Sequence, residues 1–520
     1  MSRGKSSPVQ IVESKDVLLQ RITALEAYIS ELEENVRLLK SAIFGRSSEK
    51  QRSADPISGQ LCLPFENTVP TADAEATSVK STVLEHQRRK RGRKPLPKDL
   101  PRVRNEVDLP EDQKVAPCGC CLKRIGEVVS ERLCIKKAEI YIEQEVRFKY
   151  APDCQCPTEV GAPGEVKIAP ATPQIIPKGI ATAELVAHVV TAKFADALPL
   201  HRQEQQFRRL GVDISRATMV NWILLSAAAC QRLLELLTRE VLAGPAINAD
   251  ETRIQVLDEP GRANTALSYM WVYRGGPTEA PGVIFRYEAS RAGHIPETLL
   301  KNYHGYLQTD GYAGYQAIGE RAGIRHLGCW AHVRRKFVEV IKGTKVPGKT
   351  SVAEHVLELI GKLYEIERRA RHEKRDGEEI VALREGESRP LLSELKAVFD
   401  RHMKTTPPRS LLGKAIGYAL GQWPRLTVYL EQGFLAPDNN LAENAIRPFA
   451  VGRKNWLFSG SPRGAHASAL FFSLIETAKA NEIEPNRYLR FIFTEVPIAK
   501  SDDDLRSLLP QHLDRNRLPL

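Results

Sequence analysis

Apolar residues between Leu18 and Ile43 recur at alternating spacings of four and three positions, which is the pattern of a heptad repeat. The d positions are Leu18, Leu25, Leu32 and Leu39, and the a positions are Ile22, Ile29, Val36 and Ile43. Leucine at d with β-branched residues at a favours a parallel two-stranded coil. The pattern predicts a dimerising coiled coil over residues 15–45, and the alternative is an amphipathic helix packed on the protein's own core.

Helical periodicity returns in residues 175–237, with a break that is typical of a helix-turn-helix. One helix ends near Arg209, Gly211 supplies the turn, and Ser215 caps a second helix. The first turn of that second helix carries the residues that we expect to reach base edges in the major groove of DNA. They are Arg216, Thr218 and Asn221. The alternative is a plain helical hairpin packed on the neighbouring domain.

Alternating apolar and polar residues then predict a series of strands. PAINADETRIQV forms the first strand and carries Asp250, and YMWVYR and GVIFRY form the next two. A short helix over 296–302 precedes a fourth strand in GYLQTDGY, which delivers Asp310 at its end. A second helix, the strand IRHLGC and the helix AHVRRKFVEVI follow. This order is typical of a ribonuclease H-like α/β domain, in which the first and fourth strands are neighbours.

The α/β domain is predicted to occupy residues 240–345 and 409–480. The highly charged residues 346–408 between its two parts read as a helical insertion, and residues 481–520 form a C-terminal segment. The charge run GKLYEIERRARHEKRDGEE in the insertion is expected to be a solvated face, with DNA contact as the alternative. The fold class is therefore multidomain, with a coiled coil, smaller modules and a ribonuclease H-like domain.

Lysine and arginine exceed aspartate and glutamate by 11 in the 520 residues, which suggests a polyanionic partner such as nucleic acid. Much of the excess lies in residues 86–105, in QRRKRGRKPLPKDLPR. Around Gly92, we expect Arg91, Arg93 and Lys94 to contact DNA as an AT-hook-like segment in the minor groove. The alternative is a solvated linker that binds phosphates without sequence preference. Residues 46–85 are polar and aperiodic, so they predict a flexible linker.

Five of the nine cysteines form two groups at the ends of residues 118–156, which favours metal binding over disulfides in a reducing compartment. Alternating sequence between two cysteine groups predicts a hairpin in a module over 110–165. We expect a structural zinc ion held by Cys118, Cys121, Cys154 and Cys156, with Cys120 as the substitute ligand. Cys329 and His332, three positions apart, are a weaker metal signal, and packing or substrate positioning is favoured there.

Asp250 and Asp310 need a third carboxylate to complete a metal site, and the candidate is Glu443 in APDNNLAENAIRPF. Residues 438–440 are expected to cap its helix and Pro448 to end it. Carboxylates suit Mg²⁺ or Mn²⁺, and two such ions would serve in-line phosphoryl displacement. The cations that follow Glu443 are expected to hold DNA phosphates. They are Arg447, Arg453 and Lys454.

Several blocks resemble the motifs of DDE transposases of the insertion-sequence-sixty-six (IS66) family. They are NADET, LQTDGYAGY, GCWAHVRRKF, DNNLAENAIRPFAVGRKNWLFSGS and ETAKAN, supported by FGRSSEK, GRKPLPKDLPR and ALPLHRQEQQF. The resemblance covers nearly the whole chain and implies Asp250, Asp310 and Glu443 as the acidic triad. It departs from the family at Cys154-Gln-Cys156, where the family usually has C-x-x-C.

The resemblance implies binding of terminal inverted repeats, metal-dependent cleavage and strand transfer into target DNA, with small accessory proteins of the same element as further partners. Two alternatives are a transposase-derived DNA-binding regulator and a nuclease of the same fold without strand transfer. No apolar run approaches the ~18 residues of a membrane span, and the N-terminus lacks a signal peptide. We therefore expect a cytoplasmic, nucleoid-associated protein with no membrane partner.

Overall fold

The computed structural model describes residues 140–150, 167–168, 170–344 and 351–519, with scattered helical positions between 19 and 40. The predicted linker, the basic tract with Arg91, Arg93 and Lys94, and the proposed zinc ligands lie outside these residues. Those ligands are Cys118, Cys121, Cys154 and Cys156. The chain forms two compact units, one of Met1–Gly59 with Gln144–Leu520 and the other of Gln60–Glu143. The following account concerns the first unit, except for residues 140–143, which belong to the second.

The described positions between 19 and 40 are helical, as the heptad pattern predicts. The described a and d side chains lie between 45% and 59% exposed. They are Ile22, Leu25, Ile29, Leu32 and Val36. The described part of a single chain therefore leaves the apolar seam open to solvent. Glu34, on the same helix, accepts a hydrogen bond from the backbone N–H of Leu411 (3.1 Å).

Two short strands follow, β1 (Lys149–Tyr150) and β2 (Lys167–Ile168), and they pair antiparallel. The alternating pattern also predicts strand in residues 140–148, and there it is wrong: these residues have no regular secondary structure. Tyr141 and Ile142 are exposed. Alternation creates a face that can be buried, but a strand also needs a pairing partner and a packed surface to be stable. Among the described residues this segment has neither.

Four helices precede the sheet: α1 (Ala183–Phe194), α2 (Leu200–Arg209), α3 (Arg216–Ala229) and α4 (Gln231–Leu242). Gly211 has a φ of 89°, which only glycine adopts readily. Ser215 caps α3 by accepting a hydrogen bond from the N–H of Thr218 (3.1 Å). The described helices include no single one that is long and apolar enough to span a membrane, although α3 and α4 pass that test as a pair bent by 54°.

The central sheet has five strands: β3 (Ala246–Gln255), β4 (Leu267–Gly275), β5 (Gly282–Glu288), β6 (Gly305–Gln308) and β7 (Ile324–Leu327). Their order is β5-β4-β3-β6-β7. The pairs β3–β4 and β4–β5 are antiparallel, whereas β3–β6 and β6–β7 are parallel. Asn248 of β3 lies opposite Gln308 of β6. The first and fourth strands of the sheet are therefore neighbours at its centre.

Two short helices, α5 (His294–Leu299) and α6 (Gln316–Gly319), follow β5 and β6, with a 3₁₀ turn at Ala313–Tyr315 before α6. α5 begins two residues before the predicted position. Their apolar side chains cover one face of the sheet, where large aromatic residues form the core. The buried aromatic residues of this core are Trp271, Tyr273, Tyr303 and Tyr315.

A helical layer follows β7. It contains α7 (Trp330–Thr344), α8 (Val352–His372), α9 (Gly377–Leu383), a π-helix (Arg384–Ser388), α10 (Arg389–Met403), α11 (Leu411–Leu426) and a 3₁₀ turn (Val428–Glu431). Phe337 of α7 stacks on Phe399 of α10, with ring centroids 5.6 Å apart. The insertion is thus helical, and its core is continuous with α7 and α11 on either side of it.

Two long helices complete the α/β domain: α12 (Asn440–Trp456) and α13 (Pro462–Ala480). Thr477 and Ser473 of α13 accept hydrogen bonds from the backbone N–H groups of Val283 and Phe285 (2.9 and 2.7 Å). α13 therefore covers the unpaired edge of β5, which would otherwise be open to another chain. The chain continues through α14 (Pro485–Glu495), α15 (Asp502–Ser507) and a 3₁₀ turn (Arg515–Arg517).

Candidate active site

Three carboxylates occupy the centre of the sheet and the helix beside it. Asp250 lies in the middle of β3, Asp310 lies two residues beyond β6, and Glu443 lies in the first turn of α12. The negative charges of Asp310 and Glu443 both raise the pKa of Asp250, so the three side chains interact electrostatically. The structure thus brings together the three residues that the motifs predicted, from positions spread over nearly two hundred residues.

The pKa of Asp250 lies well above the usual value for an aspartate. Burial is the main cause that raises its pKa to about 8, and the neighbouring Glu251 raises it further. A hydrogen bond from the backbone N–H of Glu251 to Oδ1 of Asp250 (2.8 Å) opposes the shift only in part. A carboxylate with this environment lacks a compensating positive charge, which a bound cation would supply.

A buried amide network holds the three elements together. Nδ2 of Asn248 donates to Oε1 of Gln308 (2.8 Å) and to Oδ1 of Asn439 (3.1 Å). Nδ2 of Asn439 donates in turn to the carbonyl oxygen of Ala249 (2.8 Å). Asn248 and Gln308 each lie two residues before an aspartate of the site, and Asn439 begins the helix of Glu443. The network therefore sets the register of β3, β6 and α12.

Sequence reasoning missed this network. It treated Asn439 only as part of a helix cap and gave Asn248 and Gln308 no role. One signal was available, because both strands carry an amide side chain two residues before the aspartate that they deliver. Parallel neighbours place such residues side by side, as the register of Asn248 and Gln308 confirms.

α12 begins within the predicted residues 438–440, although the N-cap residue Asn439 makes no side-chain capping hydrogen bond, and the helix does not end where predicted. Oδ1 of Asp438 accepts a hydrogen bond from the N–H of Asn440 (3.1 Å). The prediction that Pro448 ends the helix is wrong, because α12 continues to Trp456. Proline removes one backbone donor, but Ile446 and Phe449 on either side are buried, and this packing outweighs the lost hydrogen bond. Glu443 and the cations near Trp456 consequently share one helix.

Cys329, His332 and Glu443 form a second grouping, with ligand atoms within 4.8 Å of one another. Burial raises the pKa of the Cys329 thiol to about 12, and sulfur is not the oxygen ligand that Mg²⁺ prefers. Oε1 of Glu443 is buried without a hydrogen-bond partner, and Nδ1 of His332 lies 3.7 Å away. A buried carboxylate oxygen without a partner, close to two aspartates, fits a hard cation such as Mg²⁺.

A further acidic residue, Glu251, supports the loop that carries Asp310. It accepts hydrogen bonds from Nε of Arg291 (2.7 Å) and from the hydroxyl of Tyr315 (2.7 Å). The guanidinium of Arg291 stacks on the ring of Tyr312, 3.6 Å from the centroid. The backbone N–H of Tyr312 donates to Oδ1 of Asp310 (2.9 Å). Sequence reasoning missed this residue, although NADET places it next to Asp250.

One group of predicted DNA-contacting cations lies on the helix of Glu443. Arg447, Arg453 and Lys454 follow Glu443 along α12, and Nη1 of Arg453 donates to Oγ1 of Thr252 on β3 (3.1 Å). Arg453 therefore lies beside the strand of Asp250. Arg447 and Lys454 are exposed.

The predicted helix-turn-helix residues lie on α3, which carries none of the three carboxylates. Arg216 is exposed and pairs with Glu204 of α2 (3.3 Å), and Asn221 is exposed. Thr218 is half-buried and contacts the capping Ser215 through its hydroxyl (2.9 Å). The first turn of α3 is thus accessible to a ligand along one side.

The raised pKa of Asp250 predicts a specific pH dependence in metal-free protein. Between the usual pKa of an unfolded aspartate and about 8, the native state binds more protons than the unfolded state. The free energy of unfolding therefore falls as pH rises through this window. We expect the free energy of unfolding of Asp250→Asn to exceed that of wild type by about 2 kcal/mol at pH 8. This difference should shrink towards pH 5. Thermal melts in a chelator measure this.

The matched control is Asp400→Asn, which removes an exposed carboxylate paired with Lys396 on α10. Added Mg²⁺ should raise the melting temperature of wild type at pH 8 and have a much smaller effect on Asp250→Asn. Parallel melting curves for wild type and Asp250→Asn across the pH range would contradict the prediction.

Comparison with known proteins identifies the family. The family model described as "Transposase IS66 family" matches residues 178–467. The model described as "Transposase C of IS166 homeodomain" matches residues 31–104, and "IS66 C-terminal element" matches residues 473–511. These matches cover the α/β domain, the N-terminal helical region and the C-terminal segment.

Relatives of similar length are found in Sinorhizobium fredii (strain NBRC 101917 / NGR234). The uncharacterized protein y4jD is 32% identical over 509 residues, which cover 95% of this chain and 96% of that protein. The uncharacterized protein y4qI is 30% identical over 500 residues, which cover 93% and 88% respectively.

The chain belongs to the IS66 transposase family, as the motifs predicted. Membership implies a transposase role with DNA as the partner. Transposases of this family generally use divalent metal ions.

Proposed function

We propose that the protein is a DDE transposase that binds the terminal inverted repeats of its element and catalyses DNA cleavage and strand transfer. The observation that carries this proposal is the convergence of Asp250, Asp310 and Glu443, since the negative charges of Asp310 and Glu443 both raise the pKa of Asp250. The strand order β5-β4-β3-β6-β7 supports a ribonuclease H-like fold for the catalytic domain.

Asp250, Asp310 and Glu443 would hold two Mg²⁺ or Mn²⁺ ions. When bound, such ions supply Lewis-acid activation of the attacking oxygen and charge stabilisation of the leaving oxygen. The protein's own contribution is orientation, because Asn248, Gln308 and Asn439 keep the three carboxylate-bearing elements in register. Arg447, Arg453 and Lys454 would bind phosphates of the same DNA strand.

Each end is first hydrolysed to give a free 3′-hydroxyl. That hydroxyl then attacks a phosphodiester of target DNA, so that one P–O bond forms as another breaks and no covalent enzyme intermediate is needed. Both reactions use the same carboxylates, which is why one site suffices for cleavage and joining.

End recognition would use several modules. α3 would enter the major groove with Arg216, Thr218 and Asn221, and Arg91, Arg93 and Lys94 would follow the minor groove. A zinc module with Cys118, Cys121, Cys154 and Cys156 as ligands would stabilise the part of the chain that joins the basic segment to the helices before the sheet. The apolar seam over residues 15–45, which is exposed at the positions that the structure describes, would pair with a second copy, so that two ends are held in one complex. Small accessory proteins of the element are further partners, and the complex would act on the nucleoid in the cytoplasm.

The test uses the purified full chain with duplex DNA carrying the inverted repeats that flank its own gene. We expect end-specific binding that survives salt sufficient to remove binding to scrambled DNA, and Mg²⁺-dependent nicking followed by joining to target DNA. Specific binding without cleavage, with or without the element's other proteins, would favour the DNA-binding regulator. Cleavage without joining would favour the nuclease.

A further inference from the structure

Two large apolar side chains are exposed directly after the helix that carries Glu443. Leu457 is 64% exposed and Phe458 is 45% exposed. They form the turn between α12 and α13, within the block GRKNWLFSGS. Single exposed apolar side chains are common on protein surfaces, whereas large ones that are adjacent suggest a contact surface.

The turn itself is strained. Leu457 has a φ of 67° and a ψ of −53°, and the N–H of Phe458 donates to the carbonyl of Trp456 (2.8 Å). These values define the rare γ-turn with positive φ. A non-glycine residue persists in such a conformation only when its surroundings hold it there.

The surroundings do so by pinning the turn at both ends. The N–H of Leu457 donates to the carbonyl of Arg453 (2.7 Å), which closes α12. On the other side, Ser459 forms a parallel bridge with Val256, just beyond the end of β3. The N–H of Ser459 donates to the carbonyl of Gln255 (3.0 Å), and its own carbonyl accepts from Leu257 (2.9 Å). The fold thus maintains a rigid, strained projection of two apolar side chains.

The charges around the projection are positive. Lys454 precedes it, Arg463 follows it, and Arg253 is exposed on β3. Burial and the charge of Arg253 both lower the pKa of Arg453, so these two guanidiniums are close together. Within the described part of the chain, none of these four cations forms an ion pair with a carboxylate. A partner with anionic groups outside and flat apolar faces inside, which is nucleic acid, fits this combination.

The projection also lies at a defined distance from the carboxylates. Val256, which bridges to Ser459, is six residues beyond Asp250 along β3. At about 3.4 Å per residue the separation is roughly 20 Å, and Arg453 contacts Thr252 between the two. Duplex DNA rises about 3.4 Å per base pair. A duplex following β3 would therefore place the projection about six base pairs from the bond at the carboxylates.

We propose that Leu457 and Phe458 form a wedge that inserts into the base stack of the element's end DNA, about six base pairs from the cleaved bond. The neighbouring cations hold the phosphates on either side of the opened step. Unstacking would bend the duplex and let its strand reach the carboxylates. This inference rests on the proposed function and adds to it a residue-level mode of DNA distortion.

The experiment uses the full chain and end duplexes in which 2-aminopurine replaces one base at a time over the first ten positions. Fluorescence of this base increases when it is unstacked. We expect wild type to raise it severalfold at one or two adjacent positions. Phe458→Ala should abolish the fluorescence rise and weaken end binding about tenfold. On a duplex that is mismatched at those positions, and so already unstacked there, this variant should cleave better than on the matched duplex.

Two variants keep the test interpretable. Leu457→Gly removes a side chain while favouring the positive φ, so it separates loss of the wedge from loss of the turn. It should lower the fluorescence rise without lowering the melting temperature. Phe434→Ala removes a comparably exposed phenylalanine that packs against Tyr306, and it should leave the fluorescence rise unchanged.

The outcomes are distinguishable. A fluorescence rise that persists in the double variant Leu457→Gly/Phe458→Ala would overturn the wedge, as would specific cleavage by wild type with no rise at any position. If wild type shows neither specific binding nor cleavage, the proposed function is overturned, and the wedge with it.

Discussion

Replacing Asp310 by alanine is expected to lower cleavage of end DNA by about 1,000-fold or more, equivalent to about 4 kcal/mol of transition-state stabilisation. Binding of the same DNA should stay within about threefold of wild type. The reason is that Asp310 faces Asp250 and Glu443 at the carboxylate site, whereas the proposed base-reading residues lie on α3. The measurement is single-turnover cleavage in Mg²⁺ beside a binding titration in Ca²⁺ or chelator.

Asp310 also has a local structural contact, because its Oδ1 accepts the N–H of Tyr312 (2.9 Å). Asp310→Asn keeps an oxygen for that hydrogen bond and removes the negative charge. If the charge is what matters, both variants lose cleavage equally. Asp400→Ala, on the exposed face of α10, should cleave like wild type. Cleavage retained by Asp310→Asn would remove the charge of Asp310 from the mechanism.

Replacing Arg384 by alanine is expected to destabilise the protein by about 3–5 kcal/mol, the range for breaking a buried ion pair. Arg384 is only 1% exposed and donates to both carboxylate oxygens of Glu367 (2.8 and 2.7 Å). Its remaining donors bond three backbone carbonyls, so all five N–H groups are used. Those carbonyls belong to Tyr429, Gln432 and Leu435. Alanine would leave a buried charge and three carbonyls without these donors.

The measurement is thermal unfolding, where the transition of the helical layer should shift by roughly 10 °C. Arg389→Ala is the matched control, since Arg389 pairs with Glu385 on the exposed surface of the same region. Its cost should stay below about 1 kcal/mol. Arg384→Met/Glu367→Leu removes both charges and should recover part, but not all, of the loss. Equal melting temperatures for Arg384→Ala and Arg389→Ala would contradict the prediction.

This ion pair connects the insertion to the segment before the helix of Glu443. Glu367 lies on α8 and Arg384 in the π-helix, while Leu435 lies three residues before Asp438, whose Oδ1 accepts a hydrogen bond from the first residue of α12. Loss of Arg384 should therefore loosen the approach to the helix that carries Glu443, as well as the insertion itself. The insertion thus contacts the segment that leads into the helix of Glu443.

Much of the local structure follows from short-range pattern. The turn at Gly211 and the cap at Ser215 need only residues next to them, because a positive φ and an N-cap are local preferences. The strands of the central sheet follow from alternation, and their order along the chain indicated which two would be neighbours. Asp250, Asp310 and Glu443 could therefore be selected from motifs and strand order before any distance was known.

Other features depend on residues far apart in the chain. The charge run of the insertion predicted a solvated face, yet Glu367 within it is buried because Arg384 lies opposite, 17 residues later. Asn439 meets Asn248 across 191 positions. Pro448 lies inside a helix because burial of its neighbours outweighs a local preference. Periodicity reports which side chains can be buried, but partners are chosen by packing and hydrogen bonding across the fold, and these set the surroundings of the three carboxylates.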